Sequence, residues 1–269
     1  MPLRITHVLV ETAHGPLSFE DMMAGGRGVT GSEQSMLYLA QAQARTGHQV
    51  SCYLPTDHPG YSNGIEMLDV RTGWPRLRRV DRSDVVISWL TADPLKLAPA
   101  GALRIHSIQI NDWMLCAAGY DQHVDVYVCV SKAHRDHLWS SAGHPVTQEK
   151  VEILPNGVDL DRFSPSRPHV PQRCAYLSSP DRGLHWVLAM WPEIKLSCPT
   201  AELHVFYEVQ KWLETATYLN SDVGMRAQYT VKKSWELAKK GVRFHGAKAP
   251  TELAQELLAC DLMLYPCDP

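Results

Sequence analysis

The chain has 269 residues, of which 45% are hydrophobic and 20% charged, and a formal charge of -3. That length suits two domains of ordinary size, because a single core stops growing near ~250 residues. The near-neutral balance gives no electrostatic reason to expect nucleic acid as a partner. Seven cysteines are scattered without close pairs, several within apolar runs where a free thiol behaves as a small hydrophobe, so they read as reduced and the protein as cytoplasmic. No run approaches the ~20 apolar residues of a membrane span, which still leaves a peripheral membrane contact open. The N-terminus reads as a first strand rather than a secretory signal.

In chain order, the segments beginning at Arg4, Cys52, Asp84, Leu103, Val124 and Val151 are short runs rich in Val, Ile and Leu. They are too continuous for a half-exposed sheet and suit parallel strands covered on both faces. Between the first two lies a helical pattern with Met36, Leu37, Leu39, Ala40 and Ala44 on one face, Ser32 as the expected N-cap and Gly47 as the stop. Strand and helix alternating in this way predict a parallel, doubly wound sheet with a ligand crevice at the carboxyl ends of its strands.

The run Val151–Leu154 breaks at Pro155, Asn156 and Gly157, and Pro165, Pro168 and Pro171 then recur at every third residue. A turn followed by proline-spaced polar sequence predicts a domain joint. The expected domains are residues 1–165 and 166–269. In the second, strands are expected near Cys174, Leu203, Val242 and Leu262, with a helix around Pro192 that the proline bends or ends. Three or four strands leave open edges, so this domain reads as incomplete and the chain as a fragment of a longer one.

Four groups of residues invite chemistry. The loop before the first helix carries Gly25, Gly26, Gly28 and Gly31, which let backbone amides approach an anion at a helix start. About twenty residues separate these glycines from the first strand, and the second strand lacks the acidic residue that would hold a ribose, so a nicotinamide cofactor is not expected. In the second domain, Ser178 to Leu184 sets Arg182 beside Gly183 at a strand terminus, a cation and free amides suited to a diphosphate. His106, Gln109, Asn111 and Asp112 fall near the end of a core strand, where a substrate crevice would lie, although a satisfied core histidine is the more expected role for His106. His134 and His137 share one helix face at a spacing of three, without the further ligands a metal site needs. No serine or cysteine nucleophile with its base is apparent.

Five stretches in register carry a family likeness: GSEQSMLYLAQAQARTGHQV, VCVSKAHRDHL, ILPNGVDLDRFSP, YLSSPDRGL and VRFHGAKAPTELAQELLACDLMLYP. In that order and spacing they resemble the retaining glycosyltransferases of family four, which have the GT-B fold. The resemblance implies an α/β protein of two Rossmann-like doubly wound parallel-sheet domains, the second incomplete. It also implies a nucleotide-sugar donor, a sugar, lipid or small-alcohol acceptor, transfer with retention, and neither a cofactor nor a required metal. On it, Gly26 and Gly31 approach the donor phosphates, Arg182 neutralises the diphosphate, and His245 and Gly246 meet the nucleobase. Asn156 and Asp159 brace the hinge, and the catalytic candidates are His106, Gln109 and Asn111. Leu177 and Ser178 stand where many members carry a second phosphate-binding cation, and the family's acidic pair would lie beyond Pro269. A catalytically inactive nucleotide-sugar or carbohydrate binding protein of the same fold is therefore the alternative expectation.

Overall fold

The computed structural model describes residues 1–12, 15–20, 29–72, 82–110, 119–140, 148–164, 167–216 and 221–266. They form two compact units, one taking in the described chain up to Val158 and the other the chain from Asp159 onward.

The first unit is an eight-stranded sheet. Its strands are β1 (Arg4–Val8), β2 (Gln49–Leu54), β3 (Gly60–Ser62), β4 (Ile65–Asp69), β5 (Val85–Trp89), β6 (Leu103–Ile108), β7 (Val126–Cys129) and β8 (Val151–Ile153), with helices α1 (Gly31–Arg45) and α2 (Lys132–Ser140). The spatial order is β3-β4-β2-β1-β5-β6-β7-β8, and every pairing is parallel except β3 with β4. Strands alternate their side chains between two buried layers. Ile5, Cys52, Ile87 and Trp89 pack with Met36, Leu37 and Ala40 of α1, while Val8, Val86, Ile108, Tyr127 and Cys129 pack on the other side with Leu95 and Leu138. Burial on both faces is why these strands read as continuous apolar runs.

Two local readings are corrected. The N-cap of α1 is Thr30, not Ser32: Glu33 N–H donates to Thr30 Oγ1 at 3.4 Å and Thr30 N–H to Glu33 Oε2 at 2.7 Å, a reciprocal capping box. The β3–β4 hairpin was not expected at all. Asn63 and Gly64, with φ of 52° and 82°, join its strands through the left-handed pair that a two-residue hairpin requires.

The second unit contains β9 (Arg173–Tyr176), α3 (Leu184–Ser197), β10 (Glu202–Val205), α4 (Val209–Ala216), α5 (Ser221–Leu237), β11 (Val242–Phe244), α6 (Pro250–Leu258) and β12 (Leu262–Met263). Its four strands are all parallel in the order β11-β10-β9-β12. Pro192 neither ends nor divides α3, which continues to Ser197 because fully buried Trp191, whose Nε1–H donates to Lys240 O at 3.0 Å, anchors it. This sheet is asymmetric, unlike the first. One face is apolar, with Cys174, Tyr176, Leu203, Val205 and Val242 against α3. The opposite parity carries Arg173, Glu202, His204, Arg243 and His245. The segment after Asp159 is not a bare linker: residues Leu160–Phe163 make a 3-10 turn, and Gln255 Nε2 donates to Arg162 O at 3.0 Å, tying it to α6.

Candidate functional site

In the first unit the direction of winding reverses between β1 and β5. The chain runs outward through β2 and β4 on one side and through β6, β7 and β8 on the other. Such a switch point opens a crevice at the carboxyl ends of the strands. At the end of β5, Leu90 adopts φ of 67° and Thr91 N–H donates to Trp89 O at 2.8 Å, a γ-turn of the strained hand. A branched residue held there costs about 1–3 kcal/mol, and such strain clusters at functional sites.

Beside that turn, polar side chains lock the ends of β6 and β8. Gln109 Nε2 donates to Ser107 Oγ at 3.1 Å and Asn156 Oδ1 at 3.3 Å, while Asn156 Nδ2 donates to Gln109 Oε1 at 3.0 Å. Asn156, expected to brace the hinge, is bonded to a partner 47 residues away rather than to its own neighbourhood. Asp159 does act locally, capping the following turn through Asp161 N–H at 3.2 Å and pairing with Arg162 Nε at 3.2 Å. His134 is buried, accepts from Val130 N–H at 3.3 Å through Nδ1 and donates from Nε2 to Ile110 O at 3.1 Å, pinning the chain that leads from β6. Among the described residues no cluster of His, Cys, Asp and Glu is arranged to hold a metal.

His106 is fully buried within 5.9 Å of the Tyr127 ring, and desolvation pushes its pKa down to about 4. It is a core imidazole, neutral at physiological pH. Asn111 and Gly26 lie outside the described residues. Gly31 is the first residue of α1, with open space where a side chain would stand.

In the second unit the carboxyl ends of β9, β10 and β11 bring together residues from three stretches. After β9, Pro180–Arg182 form a 3-10 turn closed by Gly183 at φ 104°, which starts α3. A Cβ on Gly183 would stand 2.0 Å from Pro266 O, so only glycine lets the turn seat against the chain after β12. Arg182 is exposed on this turn. Both Asp181 and Arg182 act electrostatically on Tyr207, whose hydroxyl is pushed above its ordinary range mainly by burial. Glu208, just past β10, accepts from Ala247 N–H at 2.8 Å, and its Oε1 would lie 2.6 Å from a Cβ on Gly246. That carboxylate and the left-handed φ of 72° explain the glycine. Tyr207, Glu208, Leu213, Trp235, Phe244 and Gly246 line a cavity of about 350 Å³ at this end of the sheet. His245 N–H donates to Val205 O at 2.9 Å, and its ring packs at 4.8 Å from Phe206. Tyr207 and Glu208 were missed from sequence because nothing but their place after a core strand marks them.

No family profile matches the sequence, and neither does any curated protein. Solved structures share the fold. Sucrose-phosphate synthase from Thermosynechococcus elongatus aligns with a TM-score of 0.63 at 12% identity, over 98% of this chain and 75% of its own. HepE from Anabaena, solved with UDP and glucose, gives 0.63 and 12% over 98% and 74%. The catalytic domain of starch synthase IV from Arabidopsis thaliana, bound to ADP and acarbose, gives 0.56 and 11% over 100% and 80%. These likenesses establish a GT-B-like architecture of two Rossmann-like α/β domains.

Proposed function

We propose that the chain is a glycosyltransferase that moves a sugar from a nucleotide-sugar donor to an acceptor hydroxyl with retention of configuration. The observation that carries this reading is the Arg182–Gly183 turn at the carboxyl end of β9, in a GT-B-like fold whose solved neighbours include structures holding UDP and ADP. In the transfer, the bond from the anomeric carbon to the diphosphate breaks, the acceptor oxygen forms the new one, and the acceptor hydroxyl's proton passes to the departing diphosphate. Negative charge accumulates on the departing diphosphate, and Arg182 with the adjacent amides is placed to offset it. His245 and Gly246 form the nucleobase side. Gln109, at the end of β6, serves the acceptor side, which would take a sugar, lipid or small alcohol, and Asn156 braces it from the end of β8. The protein works without a cofactor or a required metal, in the cytoplasm. No helix among the described residues is long and apolar enough to cross a membrane.

The test is thermal denaturation with UDP-, GDP- and ADP-sugars. A ligand at one hundred times its Kd stabilises by about 2.7 kcal/mol. Arg182→Ala should abolish that shift, and an unchanged shift would remove Arg182 from the site. Binding without turnover on any acceptor would favour the reading of an inactive binding protein of the same fold.

A further inference from the structure

The polar face of the second sheet contains a continuous chain of side-chain hydrogen bonds. Arg243 Nη2 donates to Glu202 Oε1 at 2.6 Å. Glu202 Oε2 lies 3.2 Å from His204 Nε2, and His204 Nδ1 lies 2.9 Å from His245 Nε2. The two imidazole planes are nearly parallel, at 15° with centroids 4.9 Å apart. His204 is 5% exposed.

Bond directions follow from which group can accept. Glu202 is held below the usual carboxylate range, first by the Arg243 guanidinium and then by His204, so it is ionised and only accepts. His204 Nε2 must therefore carry its proton. Burial holds both histidines below their ordinary range, so each is neutral with one N–H. With Nε2 protonated, His204 Nδ1 is a bare lone pair and accepts. His245 Nε2 must then be the donor, which leaves His245 Nδ1 unprotonated. Among the described residues, that atom has no hydrogen-bond partner and is not sealed from solvent.

Resting on the nucleotide-sugar reading above, we propose that Glu202 and His204 are positioning residues that fix His245 as the Nε2–H tautomer. Its Nδ1 then accepts a hydrogen bond from a ring or exocyclic N–H of the donor's nucleobase. The carboxylate acts through two imidazoles on a contact atom at the end of β11. The charged groups acting on His245 are Glu256 of α6, Lys248 after β11, Arg173 of β9 and Arg243 of β11, the last of which is itself the start of the relay. Because the base is read by a lone pair, a ligand whose N–H is replaced by N–CH3 loses both the bond and the space.

The full chain with 15N-labelled histidine, without ligand, reports the tautomer of His245 by long-range 1H–15N correlation. The expected pattern is a protonated Nε2 and a bare Nδ1, with a mixture of tautomers in Glu202→Ala and in His204→Ala. A protonated Nδ1 in the native protein would overturn the relay, and so would an unchanged tautomer in both variants. The ligand half is read by titrating UDP, ADP and GDP, then the N-methylated form of whichever binds best. Roughly tenfold or greater weakening on methylation, matched in His245→Ala, is expected for one lost hydrogen bond of about 1.4 kcal/mol. Equal affinity for the methylated nucleotide would overturn the assignment of His245 to the base. If no nucleoside diphosphate binds the native chain, the nucleotide-sugar reading and the ligand half fail together, and the tautomer measurement alone decides the relay.

Discussion

Replacing Gly183 by alanine tests whether the Arg182 turn is built as described. Gly183 has φ of 104° and ψ of 5°, and an L-residue in left-handed backbone costs about 1–2 kcal/mol. The added Cβ would stand 2.0 Å from Pro266 O and 2.8 Å from Pro266 C, both backbone atoms that cannot rotate away. Relief requires moving either the turn or the segment after β12, and forced shifts of that kind cost about 1–3 kcal/mol. Gly183→Ala should therefore destabilise the second unit by about 2–5 kcal/mol, a large part of the roughly 5–15 kcal/mol available to a domain. Urea denaturation gives the total, and hydrogen exchange at β10 places the loss in the second unit. Gly224→Ala is the internal control: it lies inside α5 with open space around the new methyl, and should gain up to about 1 kcal/mol. A Gly183→Ala protein within about 0.5 kcal/mol of the native chain would show that Pro266 does not close on this turn.

The remaining predictions concern the first unit. His7 and His106 are fully buried, and desolvation lowers each to about 4, against an ordinary 6.5. A histidine depressed on folding binds its proton more tightly when unfolded, so its stabilisation is complete above pH 6.5 and is lost as pH falls towards 4. Each contributes on the order of 3 kcal/mol to that slope. Stability measured against pH should fall across this window, and His106→Phe should flatten the fall; an unchanged slope would place the titration elsewhere. The Gln109–Asn156 amide pair is exposed, so its coupling should be modest. A double-mutant cycle with Gln109→Ala and Asn156→Ala should give about 0.5–1 kcal/mol, and strict additivity would mean the pair does not form in solution.

Much of the first sheet was legible because its strands are apolar on both faces, and the burial that produces this composition is what the structure shows at Ile5, Val86 and Tyr127. The β3–β4 hairpin escaped because its strands are only three and five residues long, although Asn63-Gly64 marked the turn. Taking Ser32 for the N-cap overlooked the Thr30-x-x-Glu33 signature two residues earlier. Arg182 and Gly183 were readable as a turn after a strand, but the reason Gly183 must be glycine lies in Pro266, more than eighty residues on, and no local pattern carries it. The histidine relay was invisible for the same reason. Glu202 and His204 look like ordinary alternation along one strand, and only the parallel register that sets His204 beside Arg243 brings His245 within reach.

At several strands the two ends are chemically different, and this difference gives the relay its significance. At the amino ends charges are paired: Arg4 at the start of β1 with Asp84 before β5, Arg104 of β6 with Asp125 before β7, Lys150 before β8 with Asp121, and Arg173 at the start of β9 with Glu256. Such pairs tie strand ends to their neighbours. At the carboxyl ends of β5, β6 and β9 stand a strained γ-turn, an amide pair and a left-handed glycine, features that add little stability or subtract from it. The second sheet joins these regimes. The Glu202–Arg243 pair belongs to the amino end, yet through His204 it determines the protonation of His245 past the carboxyl end of β11. An ion pair at the amino end of this sheet thereby sets the hydrogen-bonding character of an atom at the candidate site.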